Sequence, residues 1–100
     1  MGNPSSIAVK YSSGETIYLY GHLLGTDNQT IVDEAIAEGR RLGDEVYFTR
    51  ILFSKMIADD IRGELGFGIS PYLIEGGHNP TVFVDFTDAR WGVAPQVYTE

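Results

Sequence analysis

The chain has 100 residues, no cysteine, and seven basic against fourteen acidic residues, for a formal net charge of -7. This length allows one domain with one hydrophobic core, and the lack of cysteine excludes disulfides, thiolate metal sites and thiol nucleophiles. The negative charge works against a footprint on double-stranded nucleic acid, and no stretch approaches the ~20 apolar residues of a membrane span. We therefore expect a soluble, cytoplasmic protein that carries no cofactor.

The first part of the chain predicts a β-hairpin followed by a helix. Met1 to Ser6 is small and polar and is expected to fray, whereas apolar residues alternate with polar ones from Ile7 to Tyr11 and again from Thr16 to Leu24. The next apolar residues fall at helical spacing and surround Gly39: Ile31, Val32, Ala35, Ile36 and Leu42. Gly43 is predicted to end this helix.

The centre of the chain predicts one long apolar helix, capped by Asp44 and ending at Gly63, Gly66 or Gly68. One broad arc of this helix contains Val46, Tyr47, Ile51, Phe53, Ile57, Ala58 and Ile61. A second arc contains Phe48, Leu52 and Met56. Because a helix that is apolar on two sides needs two partners, we expect a sheet on one side and a helix or another copy of the chain on the other.

The last part of the chain predicts two strands, Ser70 to Ile74 and Thr81 to Phe86, with a loop from Glu75 to Pro80 between them. A further strand between Val93 and Thr99 is weakened by Pro95. Helices grouped between two pairs of strands predict an α+β fold. We expect a single domain of residues 1–100, a two-layer sandwich in which an antiparallel sheet of four or five strands, in ββααββ order, carries two helices on one face.

A candidate binding face follows from the strand periodicity. The residues predicted to face the helices are Ile7, Val9, Ile17, Leu19, Val82 and Val84. The opposite face then carries Lys10, Tyr18, Tyr20, His22, Tyr72, Phe83 and Asp85. Rings with polar tips beside a cation could hold a planar ligand, but the same face could instead pack on another subunit or lie in solvent.

Three further groups of residues are candidates for binding an anion, a partner or a metal ion. Arg50 and Ser54 are predicted within the broad apolar arc, so that Arg50 either extends to the edge of the arc or has a carboxylate partner or a bound anion. Arg90 and Trp91 fall in a turn, where they could anchor a partner or cover a base, unless Trp91 folds back over the sheet. Asp59, Asp60 and Glu64 are weak candidates for a Mg²⁺ site or, more simply, a solvated helix end. No nucleophile motif is present, and we expect no catalytic residues.

Three segments together resemble a widespread, largely uncharacterised family of small proteins from tailed bacteriophages and prophages. They are Y-L-Y-G-H-L-L-G (Tyr18 to Gly25), D-D-I-R-G-E-L-G-F-G-I-S (Asp59 to Ser70) and V-F-V-D-F (Val82 to Phe86). The chain departs from the family pattern at Leu23, where an aromatic residue is usual, and in its Trp91 tail. The resemblance implies a phage origin and location in the host cytoplasm.

Small phage proteins commonly counter host defence, and this context together with the candidate residues leads to three functional hypotheses. The first is a non-enzymatic homo-oligomer that sequesters a cyclic nucleotide or an ADP-ribose-type immune signal in a pocket between subunits. Its candidate ligand contacts are Tyr18, Tyr20, His22, Arg50, Ser54, Arg90 and Trp91. The second is an acidic inhibitor that binds a host defence protein, and the third is a small metal-dependent hydrolase that uses Asp59, Asp60 and Glu64.

Overall fold

The structure of the chain, a computed structural model, describes residues 3–23, 28–64, 66–74 and 81–99. Its first two strands, β1 (Asn3–Lys10) and β2 (Thr16–Leu23), form the predicted antiparallel hairpin. The turn between them contains Gly14 at φ 94, a conformation that glycine adopts without strain. β1 begins inside the segment predicted to fray, because Asn3 already pairs with Leu23.

Two helices follow, α1 (Asn28–Glu38) and α2 (Glu45–Met56). Gly39 does not lie within α1 as the sequence predicts. It ends the helix at φ 70, with its N–H donating to the carbonyl of Ile36. Asp44 caps α2 as predicted, and its carboxylate accepts a hydrogen bond from the N–H of Tyr47 at 3.4 Å.

Three short strands complete the sheet: β3 (Phe67–Ser70), β4 (Val82–Asp85) and β5 (Gln96–Thr99). The α+β fold is confirmed, and the strand order is β3-β2-β1-β4-β5. Most neighbours are antiparallel, but β1 and β4 run parallel, so the expectation of a fully antiparallel sheet is wrong. The cause is that β3 and β4 do not form a second hairpin. They pair with opposite sides of the first one, and the predicted loop at 75–80 between them lies outside the described residues.

The core lies between the sheet and the two helices, as the strand periodicity predicts. Ile7, Val9, Leu19 and Val84 are fully buried, and Ile17 packs against them. The helices contribute the other side of this core through Ile31, Val32, Ala35, Phe48, Leu52 and Met56. Both helices therefore cover the same face of the sheet. No helix in the described ranges is long and apolar enough to cross a membrane.

The prediction of a long central helix is wrong, because α2 ends at Met56 and is followed by turns. The N–H of Ile57 donates to Phe53, and the N–H of Asp60 donates to Ile57. Two adjacent carboxylates, Asp59 and Asp60, would also oppose the helix dipole if the helix continued through them. The narrow arc of Phe48, Leu52 and Met56 faces the sheet and is covered by the chain's own fold, so these residues need no second copy.

Candidate binding face of the sheet

The side of the sheet that faces away from the helices is called the open face below. Because side chains alternate along a strand, the rings of Tyr18, Tyr20, His22, Phe83 and Tyr98 lie on it. Within the described ranges both helices lie on the other side. Tyr72, which the sequence places on this face, instead follows β3 and is largely exposed.

The central row of the open face consists of three rings over a small residue. Tyr18 and Phe83 are in register on either side of Ala8, and Tyr98 is in register with Phe83. The rings of Phe83 and Tyr98 stack with centroids 5.0 Å apart and planes at 6°. Ala8 is fully buried although the two described helices lie on the other side of the sheet, because the larger neighbouring side chains enclose it. The row is a shallow aromatic surface with Ala8 as its floor.

Two further rings of the open face, Tyr20 and His22, follow Tyr18 along β2. The hydroxyl of Tyr20 is 2.6 Å from Nε2 of His22, and the two rings meet edge to face with centroids 5.4 Å apart. Next to Tyr20 on β3 lies Gly68, in register with it. A Cβ at Gly68 would meet nothing within 4 Å, so there is open space beside the Tyr20 ring.

The charged end of the open face is formed by Lys10 and Asp85, which are in register. Asp85 accepts hydrogen bonds from the N–H of Thr87 at 2.8 Å and from its hydroxyl at 2.5 Å. These bonds are the main reason that the pKa of Asp85 lies below its usual value, and the positive charge of Lys10 adds to the effect. Asp85 is therefore ionised at neutral pH and already engaged by Thr87.

A cavity of about 240 Å³ opens beside this charged end, along the connection from β4 to β5. Asp85 and Gln96 line it from the sheet, and Arg90 and Val93 line it from the turn. Arg90 therefore reaches the same end of the molecule as Lys10. Asp88 also lines the cavity, so the lining has two carboxylates against one arginine and a negative formal charge.

The structure does not bring all the predicted ligand contacts together in one chain. Arg50 and Ser54 are exposed on α2, in the helical layer, on the other side of the sheet from Tyr18 and Tyr20. Neither residue is buried in an apolar arc, because the arc that packs on the sheet is the narrower one. Arg50 consequently lies in solvent and forms no ion pair with any residue in the described ranges.

Trp91 does not fold back over the sheet. It is 72% exposed, and one side of its ring faces the guanidinium of Arg41 at 5.3 Å. Trp91 and Arg90 therefore point to different surroundings, although they are neighbours in sequence. Nothing in the sequence around Arg41 indicated this contact.

The acidic group predicted after the central helix does not form a metal site in the part of the chain that is described. Asp60 and Glu64 are not on one helix face because α2 has already ended, and the carboxylate of Asp60 lies against Gly63 in its own turn. Asp59, Asp60 and Glu64 are all exposed. Their arrangement matches the simpler alternative of solvated acidic turns.

Sequence reasoning missed Tyr98 as a member of the open face. The signal was present, since Val97 is apolar and Tyr98 alternates with it, but Pro95 weakened the prediction of this strand. Tyr98 becomes recognisable only when β5 is known to pair with β4.

No protein-family model, curated protein or solved structure matches the chain significantly. Its function is therefore argued from the residues and their geometry.

Proposed function

We propose that the chain is a non-enzymatic binding protein that holds a small, planar, nucleotide-like anion on its open face. The observation that carries the proposal is the set of five rings gathered on that face around a floor of small residues. Ser6 and Ala8 form this floor and are almost completely buried. Flat rings over a small-residue floor favour a ligand that can stack, because every nucleobase has a π-face.

The rings of the open face are not equally accessible to a ligand that stacks on them. Phe83 and Tyr98 already stack on each other, so a ligand would extend their row or contact its exposed edge. Tyr20 has open space beside it at Gly68, which makes it the best candidate for direct stacking. Each base-to-ring stack contributes about 1–3 kcal/mol, so two such contacts supply about 2–6 kcal/mol, and charged contacts to the phosphate have to supply the rest of a micromolar affinity.

The charge of the molecule limits the size of an anionic ligand. Lys10 and Arg90 lie at one end of the open face, where they can approach a phosphate, and the carboxylate of Asp85 is engaged by Thr87. A net charge of -7 opposes a long polyanion but leaves a compact ligand with one or two phosphates acceptable.

The resemblance to phage proteins gives this binding a biological setting. In our proposal the protein is phage-encoded and acts in the host cytoplasm as a homo-oligomer. It withdraws a cyclic nucleotide or an ADP-ribose-type signal from host defence. The sequence predicts a ligand pocket between subunits, whereas the rings of the open face come from a single chain, so we propose one ligand surface on each subunit.

A thermal-shift panel of cyclic dinucleotides and ADP-ribose derivatives tests the proposal. A ligand at about one hundred times its Kd stabilises the folded chain by about 2.7 kcal/mol, which raises Tm by roughly 10 °C for a domain of this size. We expect at least one member of the panel to produce such a shift. In the variant Tyr20→Ser the shift should be lost.

The matched control is Tyr47→Ser, which removes an exposed tyrosine from α2 in the helical layer and should keep the shift. Circular dichroism confirms that both variants fold. The proposal fails if no panel member stabilises the wild-type chain, or if Tyr20→Ser and Tyr47→Ser respond alike.

One observation favours the second hypothesis, an acidic inhibitor of a host protein. Exposed carboxylates are spread over the helical layer, on α1 at Asp33 and Glu34 and after α2 at Asp59, Asp60 and Glu64. Such a surface could occupy a basic site on a partner, and the complex would dissociate at high salt. No observation on the described residues favours the metal-dependent hydrolase.

A further inference from the structure

A second surface, separate from the open face, lies where the connection between the helices meets the turn after β4. Here the guanidinium of Arg41 lies between two rings, 4.5 Å from the centroid of Tyr47 and 5.3 Å from that of Trp91. Arg41 also forms an ion pair with Asp44 at 3.0 Å. We call Arg41, Val46, Tyr47 and Trp91 the tryptophan corner.

The backbone under the tryptophan corner is fixed by contacts that are distant in sequence. The N–H of Gly92 donates to the carbonyl of Leu42 at 2.8 Å. Gly43 approaches the carbonyl of Arg90 so closely that a Cβ at this position would overlap it. Trp91 is therefore held in place before any partner arrives, which reduces the entropy that binding would cost.

The side chains of the corner are exposed although their backbone is fixed. Trp91 is 72% exposed, Val46 59% and Tyr47 53%. Val46 and Tyr47 belong to the broad apolar arc of α2 for which the sequence predicts a partner, and the chain's own fold leaves these two uncovered. Tryptophan, tyrosine and arginine are the residue types that dominate the energy of protein interfaces.

The mixed charge of the corner is compatible with a second copy of the chain. Two chains with a net charge of -7 repel each other over most of their surfaces, and the repulsion is weakest where positive and negative groups alternate. The corner is such a place, because Arg41 pairs with Asp44, and Arg40 beside it pairs with Glu38 at 2.9 Å. Arg90 is close by and forms no ion pair with the residues that the structure describes.

We infer that a second copy of this chain covers the tryptophan corner in a two-fold symmetric dimer. In a two-fold contact the same patch faces itself, so a patch that carries both signs of charge is complementary to its copy. Trp91 of each subunit packs on the exposed Val46 and Tyr47 of the other, and Arg41 and Asp44 can exchange partners across the axis. The open faces remain uncovered, one on each subunit, on the other side of their sheets.

The test is the solution mass of the full chain, measured without ligand by analytical ultracentrifugation over a range of concentrations. We expect twice the mass of one chain at about 100 µM and dissociation on dilution. Trp91→Ser should abolish the dimer. A chain that is monomeric at this concentration overturns the inference.

A pair of charge variants makes the test specific to the surface. Val46→Glu places a carboxylate in the corner and should yield a monomer. Ile61→Glu adds the same charge at a residue that is 76% exposed after α2, outside the corner, and should leave the dimer intact. If Val46→Glu remains dimeric, or if Tyr98→Ser on the open face also separates the subunits, the dimer uses another surface and the inference is wrong. Because no ligand is present, either result leaves the proposed ligand site to be judged by its own experiment.

Discussion

At the scale of single residues, two positions require glycine because of contacts with residues far away in the sequence, which no local pattern shows. A Cβ at Gly21 would lie 2.9 Å from ring carbons of Phe67, so the ring can pack over β2 only because this residue is glycine. Gly43 has φ 84 and lies against the backbone of Arg90. The sequence predicted that Gly43 ends the first helix, which is wrong because α1 already ends at Glu38. The residue that Gly43 contacts is too far along the chain to be inferred from spacing.

We predict that Gly43→Ala destabilises the fold much more than Gly39→Ala. Both glycines have positive φ, where a side chain costs about 1 kcal/mol, but space around Gly39 is open. The alanine at position 43 must also displace the Arg90 carbonyl, so we expect a total cost of about 3 kcal/mol. Urea unfolding of both variants measures the difference, and equal costs would show that the close approach at Gly43 is not a tight contact.

At the scale of elements, α2 shows where periodicity is informative and where it is not. The pattern correctly predicts a helix that begins after Asp44 and has two apolar arcs. It does not determine which arc is buried, because both arcs are apolar and only the sheet decides between them. Likewise, the glycines from Gly63 onward predicted a helix end several residues too late. The helix ends at Met56, and the turn at Ile57 that follows it is stabilised by its own hydrogen bonds.

We predict that Leu52→Ala lowers the free energy of unfolding by about 2–5 kcal/mol, because Leu52 is fully buried against the sheet and its truncation leaves a cavity. Val46→Ala on the exposed arc should change it by less than about 0.5 kcal/mol. Both are measured by urea unfolding at a dilution where the chain is monomeric. A larger loss for Val46→Ala than for Leu52→Ala would mean that the broad arc faces the sheet.

At the scale of the whole molecule, the sequence supplied the layers of the fold but not the order of the strands. The alternation at Ile7, Val9, Leu19, Val82 and Val84 correctly separates the two faces of the sheet. Which strands are neighbours depends on the connection between β3 and β4, and a short apolar run does not encode its neighbour. For this reason Tyr18 and Tyr20 could be assigned to the open face in advance, whereas Tyr98 and the separation of Arg50 from that face could not.

We propose a separate role for each of two surfaces of the molecule. The open face binds a ligand, and the tryptophan corner binds a second copy of the chain. Arg90 adjoins both surfaces, since it lines the cavity at the charged end and its backbone lies against Gly43, but the rings of the two surfaces belong to different elements and can be changed separately. The claim on which the account depends is that the rings of the open face contact a nucleotide-like ligand.

The most direct measurement of that claim is an NMR titration of the wild-type chain with the cyclic dinucleotide and ADP-ribose panel, followed through its aromatic ring signals. We expect that one ligand shifts the signals of Tyr18, Tyr20, Phe83 and Tyr98, while Phe48 in the core and Tyr47 on α2 stay unchanged. If every ligand leaves the open-face rings unshifted, or if the shifts concentrate on Tyr47 and Trp91, the open face does not bind nucleotides and the account is contradicted.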